Sequence, residues 1–146
     1  MYAKYVAPPF LFAGDKRNVK LTFAEDFAMN ETRTGIGVDT HAFGGEKDHI
    51  VLGGAKIPSA RGLIAHSDGD VLCHAVMDAL LSAAGLADIG HYFPDTDPQY
   101  KGADSLALLA KVRGLIEGEG FAVGNVSAAI VAETPRLAPH IQKMKQ

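Results

Sequence analysis

Apolar residues recur every three or four positions in two stretches of the chain, which predicts two amphipathic helices. The first is expected to begin at Ser67, where Ser67 and Asp70 form a capping pair, and to end at Gly85. The second is expected to begin at Asp104–Ser105 and to be stopped by Gly118 and Gly120. The inward face of the second helix is predicted to carry Leu106, Leu109, Val112 and Ile116.

Three shorter stretches have the composition and alternation of strands. They are residues 34–41, which contain a Gly-x-Gly interruption, residues 50–52 and residues 126–132. Together with the two helices they predict an α/β (α+β) fold. In this fold the helices pack on one face of a mixed sheet.

The first 31 residues differ from the rest of the chain. Residues 1–14 hold two prolines and an aromatic cluster without sustained periodicity, whereas residues 18–22 alternate like a short strand. Thr22 and Glu25 form a capping box for a brief helix. We interpret residues 1–31 as a linker or tail, and residues 33–146 as the main domain.

Composition limits the possible classes of protein. With 146 residues, of which 47% are hydrophobic, the chain can bury one core of ordinary size. A single cysteine, Cys73, rules out an internal disulfide, and no signal-peptide pattern or long apolar run suggests a membrane. The net charge of −3 argues against nucleic acid as a partner. These features predict a soluble, cytoplasmic protein.

Asp39 and His41 lie at the end of the first predicted strand. A period of two places both side chains on one face, while Val38 and Thr40 point to the other. With one further donor the pair could hold a zinc-like ion and leave a coordination position open for substrate. The alternative is an Asp and a His that only satisfy each other.

A third donor comes from the first predicted helix. Asp70, His74 and Asp78 are spaced by four residues and form a polar stripe on an otherwise apolar helix. His74 would complete a set of two histidines and one carboxylate, with Asp70 or Asp78 as its orienting partner. A solvated or hydrogen-bonded core histidine is the alternative. Cys73 points about 100° away from its neighbour on the helix and is expected to be buried and inert.

Two further segments are candidates for substrate binding. His66 and Ser67 stand at the predicted start of the first helix, where free N–H groups and the helix dipole favour an anion. Residues 88–98 form a loop rich in carboxylates and turn formers, which could bind substrate hydroxyls or a hard cation. Simple capping by Ser67 and a simple turn at Asp95–Pro98 are the alternatives.

Several segments, in order along the chain, resemble the 2-C-methyl-D-erythritol 2,4-cyclodiphosphate synthases of the non-mevalonate isoprenoid pathway. The resemblance covers most of the chain after residue 33. The matching segments are residues 37–43, 63–70 with His74, 88–90, 93–98, 102–105, 124–126 and 132–139.

The resemblance implies a zinc ion held by Asp39, His41 and His74, and a homotrimer with active sites shared between subunits. It implies that His66 stabilises the transition state. The substrate contacts that it implies are Asp39, His41, His66, Ser67, Asp88, Ile89, Gly90, Phe93, Pro94, Asp95, Thr96 and Asp97. The nucleotide contacts that it implies are Ala132, Glu133, Thr134, Pro135, Arg136, Leu137 and Ala138.

The implied enzyme is a phosphorus–oxygen lyase. The 2-phosphate of 4-diphosphocytidyl-2-C-methyl-D-erythritol 2-phosphate attacks the β-phosphorus of the same molecule, which releases CMP and closes a cyclic diphosphate. The nucleophile is already anionic, so the protein must fold the substrate and neutralise charge. A zinc-dependent phosphoesterase, or a fragment that binds without catalysis, are the alternatives.

The resemblance also bears on both ends of the chain. Family members continue past Gln146 through a strand containing Thr-Thr-Glu, which completes the nucleotide pocket and ligates a second divalent ion, Mg²⁺ or Mn²⁺. The C-terminal part of the domain is therefore expected to be missing. Residues 14–31 resemble the closing segment of a cytidylyltransferase, which suggests a bifunctional fusion of the two enzymes.

Overall fold

The structure is a computed structural model that describes residues 32–145. The residues from Arg33 onwards form one compact unit. The short strand and helix predicted within residues 18–29 lie outside the described residues, as does the linker or tail at residues 1–31.

Two small antiparallel sheets lie in the first part of this unit. Strand β1 (Phe43–Gly45) pairs with β4 (Gly62–Leu63), and β2 (His49–Leu52) pairs with β3 (Ala55–Pro58). The strand predicted at residues 50–52 is therefore confirmed within β2. All three of its apolar side chains are buried.

The predicted mixed sheet is wrong for the described residues, which form two separate two-stranded sheets. Residues 34–41 and 126–132 have no strand assignment. Alternation in a sequence predicts which face a side chain takes, whereas a strand also requires a hydrogen-bonded neighbour. The predicted faces are nevertheless present: Asp39 and His41 are partly buried, and Val38 and Thr40 are exposed.

Helix α1 (Val71–Ala84) begins later than the capping pair predicted. Its N-cap is Asp70, whose side chain accepts a hydrogen bond from the backbone N–H of Cys73, so the predicted start at Ser67 is wrong. Both Asp70 and Ser67 are residue types that commonly cap the N-terminus of a helix. Here the carboxylate of Asp70 takes that role instead of the hydroxyl of Ser67. Gly85 ends the helix in the left-handed conformation, as predicted, and its N–H bonds to Leu81 and Ser82 carbonyls.

Helix α3 (Ser105–Gly118) packs against α1 and ends at the predicted residue. Val112 and Ile116 are buried as expected, but Leu106 is 46% exposed and Leu108 takes the inward position. Burial of each such side chain contributes about 1.5–3 kcal/mol to stability. The core between the two helices consists of Met77, Leu81, Leu108 and Val112.

A second core cluster joins the hairpin β2–β3 to the rest of the unit. It is built on Ile50, Leu52 and Ile57, against which Ile130 and Leu137 pack. Together with Met144, which packs against the same cluster, they attach the mostly exposed segment after residue 121. Short helical elements complete the fold: α2 (Ile89–Tyr92), α4 (Ile141–Met144) and single 3₁₀ turns at Pro98–Tyr100 and Ala138–His140.

Gly35 and Gly37 allow the segment before Asp39 to lie directly on the backbone of α1. A Cβ atom at Gly37 would overlap the Ala75 carbonyl oxygen, and one at Gly35 would overlap that of Ala79. The Gly-x-Gly pattern is thus explained by close approach to the helix. This contact brings the end of the segment to the first turns of α1.

Among the described helices, none combines the length and the apolar character that crossing a bilayer requires.

Candidate metal centre

Three donor atoms converge at the start of α1, two from the segment before β1 and one from the helix itself. His41 Nε2 lies 2.9 Å from Asp39 Oδ2, and His74 Nδ1 lies 3.0 Å from the same oxygen. The two ring nitrogens are 3.3 Å apart. The structure therefore brings together the three residues that the sequence proposed as ligands, and they form a group able to hold a metal ion.

The outer nitrogen of His41 determines which tautomer its ring adopts. His41 Nδ1 lies 2.9 Å from the backbone carbonyl oxygen of Ile64. A carbonyl oxygen only accepts hydrogen bonds, so Nδ1 carries the proton in this network and donates it. In the neutral ring, Nε2 then presents a lone pair to the centre.

The outer nitrogen of His74 is placed in a comparable way. His74 Nε2 lies 3.1 Å from Ser105 Oγ and 3.2 Å from Ser67 Oγ. The Ser105 hydroxyl donates to Asp68 Oδ1 at 2.6 Å, so its one proton is already used and its oxygen accepts from His74. His74 Nε2 is therefore protonated, and Nδ1 faces the centre with a lone pair.

The centre thus consists of two nitrogen lone pairs and a carboxylate oxygen within 3.3 Å of one another. Electron-pair donors at this separation repel each other unless a cation or a proton lies between them. Ligands of a small tetrahedral divalent cation such as zinc stand about 3.3 Å apart, and the three donors here are 2.9–3.3 Å apart, so the set can accommodate a cation of that size. Three protein ligands leave a fourth position open, as in catalytic zinc sites.

Asp70 and Asp78 do not orient His74, contrary to the expectation from the polar stripe. Asp70 is fully buried and accepts from the backbone N–H groups of Gly53, Gly54 and Cys73. Asp78 accepts from the N–H of Ile89. Both carboxylates instead satisfy backbone donors of neighbouring elements, because each lies beside the start of a turn or helix.

Asp68 and Ser105 are the residues at His74 that sequence reasoning missed. The pair is separated by 37 positions, and Ser105 lies 31 positions from His74. No periodicity relates residues that far apart. The only local signal is a serine at the first position of the second predicted helix, a place where a hydroxyl more often serves the helix itself.

Cys73 is buried, as predicted, and does not belong to the donor set. Its side chain is 3% exposed. Burial, helped by the nearby carboxylate of Asp70, raises the pKa of the thiol far above its usual range. The thiol therefore stays protonated and is a poor ligand.

His66 and Ser67 lie in the connection that leads into α1 rather than at its N-terminus. Ser67 Oγ accepts from the N–H of Gly69 at 3.2 Å and contacts His74. The carbonyl of His66 accepts from the N–H of Gly102, while its Nε2 atom is buried with no hydrogen-bond partner among the described residues. Ser67 thus adjoins the donor cluster, and His66 is anchored to the loop before α3.

The carboxylates of the loop at residues 88–97 have mainly local roles. Asp88 caps α2 by accepting from the N–H of His91, and Asp97 caps the following 3₁₀ turn by accepting from that of Gln99. The turn alternative therefore describes Asp97 well. Phe93 packs edge-on against Tyr100. Ile89 and Pro94 are partly buried. The exposed members of the loop are Asp88, Gly90, His91, Asp95 and Thr96.

The predicted nucleotide segment is more open. Ala132 lines a groove of about 450 Å³ together with Asp39 and His41, between residues 35–41, residues 126–132 and α1. Leu137 packs into the second core cluster and Pro135 is partly buried. The exposed members of the segment are Ala132, Glu133, Thr134, Arg136 and Ala138.

Fold and site together define a small α+β protein with a candidate metal centre of two histidines and one carboxylate. The family model described as the YgbB family matches residues 32–146, and the chain belongs to that family.

Relatives and solved structures agree with this assignment. A 2-C-methyl-D-erythritol 2,4-cyclodiphosphate synthase of Stutzerimonas stutzeri (strain A1501) is 61% identical over 113 residues, 77% of this chain and 71% of the relative. The bifunctional IspDF from Campylobacter jejuni matches with a TM-score of 0.75 at 39% identity, over 93% of this chain but only 38% of its own. A 2C-methyl-D-erythritol-2,4-cyclodiphosphate synthase in a CDP-bound form matches with a TM-score of 0.64 at 39% identity, over 77% of this chain and 74% of its own.

Proposed function

We propose that this protein converts 4-diphosphocytidyl-2-C-methyl-D-erythritol 2-phosphate into 2-C-methyl-D-erythritol 2,4-cyclodiphosphate and CMP, in the cytoplasm and within the non-mevalonate pathway. The observation that carries the proposal is the set of three converging donors, Asp39, His41 and His74. This set lies in a chain that is 61% identical to a synthase of that name.

The donor set suits a reaction between two phosphates. The attacking 2-phosphate is already an anion, so the chain needs no activated serine or cysteine; it must hold two anionic groups close together. A bound divalent cation supplies charge neutralisation and polarises a phosphoryl oxygen. Asp39, His41 and His74 would hold that cation, for which we propose zinc.

The connection before α1 supplies polar side chains for the substrate phosphates. Ser67 Oγ adjoins His74 and is placed to donate to a phosphate oxygen. We assign the stabilisation of the transition state to His66, whose buried Nε2 has no partner among the described residues and can therefore take one from the substrate. The role of His66 requires this buried atom to become accessible to the substrate.

The remaining contacts are assigned to the two more open segments. The methylerythritol portion would lie against residues 88–97, where the exposed Asp95 and Thr96 offer hydrogen-bond partners to hydroxyl groups. The cytidine nucleotide would lie against residues 132–138. Support for the second assignment comes from the groove that joins Ala132 to the donor cluster, and from the related structure with bound CDP.

We further propose a homotrimer whose subunits share active sites, and a second divalent ion, Mg²⁺ or Mn²⁺. Ile36, Val38 and Val131 are 80%, 75% and 99% exposed, which supports a surface that another subunit covers. The segment at residues 1–31 is proposed to be the end of a cytidylyltransferase domain in a bifunctional fusion. The match to a bifunctional IspDF supports that assignment.

The reaction product tests the proposed function. The zinc-loaded protein is incubated with the diphosphocytidyl substrate and Mg²⁺, and the phosphorus NMR spectrum is followed over time. A cyclic diphosphate together with CMP is the expected result. Linear phosphate products would instead show a zinc-dependent phosphoesterase, and an unchanged spectrum alongside nucleotide binding would show a fragment that binds without catalysis.

A further inference from the structure

We infer that Asp68 and Ser105 are positioning residues that set the tautomer and the orientation of the His74 ring, and so keep the metal centre open for a cation. The inference rests on the proposed metal site. It concerns residues that do not touch the cation position themselves, because they contact the far nitrogen of the ring.

Asp68 is held firmly enough to act as a fixed acceptor. Its Oδ1 atom accepts from the hydroxyl of Ser105 at 2.6 Å and from the N–H of Asp70 at 3.1 Å. Its Oδ2 atom accepts from the N–H of Ser105 at 3.1 Å. The carboxylate therefore links the residues just before α1 to the first residue of α3.

Ser105 transmits this placement to the histidine. The side chain is fully buried, so water cannot replace its hydrogen bonds, and its only proton is used by Asp68. The oxygen of Ser105 can therefore only accept from His74 Nε2, 3.1 Å away. A carboxylate, a hydroxyl and the ring N–H form one directional chain that ends at the lone pair on Nδ1.

Without this chain a competing arrangement is available to His74. Its Nδ1 atom lies 3.0 Å from Asp39 Oδ2, so a proton on Nδ1 would bond directly to that carboxylate. Ser67 would permit the change, because its oxygen already accepts from Gly69 and its hydroxyl is free to donate to Nε2. Such a tautomer would occupy two of the three donors and close the site. Asp68 and Ser105 act against it.

The experiment compares the full chain with its Ser105→Ala and Asp68→Asn variants. Nitrogen-15 NMR of the histidine rings in metal-free protein reports which nitrogen of His74 carries a proton. We expect a proton on Nε2 in the unchanged chain and a shift towards Nδ1 in both variants. Competition with a chelator is expected to show zinc affinity reduced by about 10- to 100-fold.

Asp104→Asn is the matched control. Asp104 adjoins Ser105 and caps α3 by accepting from the N–H of Leu106, without contact to His74. This variant should keep both the tautomer and the affinity, even if its melting temperature falls. Thermal unfolding of each metal-free variant identifies loss of fold, and if Ser105→Ala does not fold, Asp68→Asn decides the question.

The inference is overturned if a folded Ser105→Ala or Asp68→Asn variant keeps its proton on Nε2 and its zinc affinity. It is also overturned if Asp104→Asn produces the same losses as the other two. Failure of the proposed metal site gives a different result: the unchanged chain would not bind zinc, while the NMR measurement would still report the tautomer.

Discussion

The donor cluster and the predicted nucleotide segment, residues 132–138, are built in opposite ways. Each of the three donors touches another donor, and the far nitrogens of both rings have partners of their own. In the nucleotide segment five of the seven side chains are exposed, and Leu137 alone is part of a core cluster. The donor cluster is therefore pre-organised by its own hydrogen bonds, whereas the nucleotide segment is held to the core mainly through Leu137.

The difference shows which half of the chemistry the described residues can support by themselves. A metal site requires donors held within a few tenths of an ångström, and the contacts around His41 and His74 provide that. A nucleotide pocket requires walls on several sides, whereas residues 132–138 form one side of an open groove. Metal binding is therefore the property least dependent on other subunits or segments.

Removal of one donor should have the largest effect. His74→Ala is expected to lower zinc content from about one ion per chain to almost none, because two ligands rarely retain zinc against dilution. Elemental analysis after gel filtration measures this. His91→Ala is the control, since His91 is exposed on α2, and it should bind as the unchanged chain does. Zinc retained by His74→Ala would place the ion elsewhere.

The next largest effect is expected at the contact between the glycine segment and α1. In Gly37→Ala the added methyl group meets the carbonyl oxygen of Ala75, so the backbone that carries Asp39 must move. We expect a loss of about 3 kcal/mol in the free energy of unfolding, together with weaker zinc binding.

Gly114→Ala provides the comparison for that variant. A methyl group there has no atom within 4 Å and should stabilise α3 by about 0.5–1 kcal/mol. Urea unfolding measures both variants. Equal stability of Gly37→Ala and the unchanged chain would contradict the close packing of this segment.

Asp70→Ala should have a somewhat smaller effect, on stability rather than on metal binding. The substitution leaves the N–H groups of Gly53, Gly54 and Cys73 without their acceptor, in a fully buried position. A loss of about 2–3 kcal/mol in the free energy of unfolding is expected. Asp97→Ala, which removes a more accessible cap, should cost only about 1 kcal/mol. Similar losses in the two variants would argue against a special role for Asp70.

The smallest effect is expected at the exposed side chains of the segment after residue 121. Val131 is 99% exposed, so Val131→Ser should change the free energy of unfolding of the isolated chain by less than about 0.5 kcal/mol. Ile57→Ser, at a residue with no exposure, should cost about 3 kcal/mol or more. Chemical unfolding at low protein concentration makes the comparison. A large loss in Val131→Ser would show that this face is already covered.

The metal donors could be proposed from the sequence because their arrangement is local. The period of two places Asp39 and His41 on one side of their segment, and the spacing along α1 places His74 among polar neighbours. The partners of His74 could not be found in this way. Ser105 contacts His74, and Asp68 contacts Ser105, only after α1 and α3 have packed. Tertiary packing has no periodic signature in the chain.

The fold shows the same limit. The helix ends at Gly85 and Gly118 follow from local backbone preferences and were predicted. The start of α1 depends instead on which of several polar side chains accepts a hydrogen bond from the first free N–H groups of the helix. The mixed sheet was wrong because pairing between residues 34–41 and a neighbour is not a property of those residues alone. The predicted face of Leu106 was wrong because two overlapping apolar stripes fit α3 equally well.

The obstacle at Gly37 has an evolutionary consequence, because it is the main-chain oxygen of Ala75 rather than a side chain. Every residue type at position 75 carries that oxygen, so no substitution there makes room for a larger residue at position 37. When a larger residue is introduced into a core, a second mutation can often compensate by making a neighbouring side chain smaller. Here no such suppressor exists within α1, and laboratory selection for a variant at Gly37 should recover glycine.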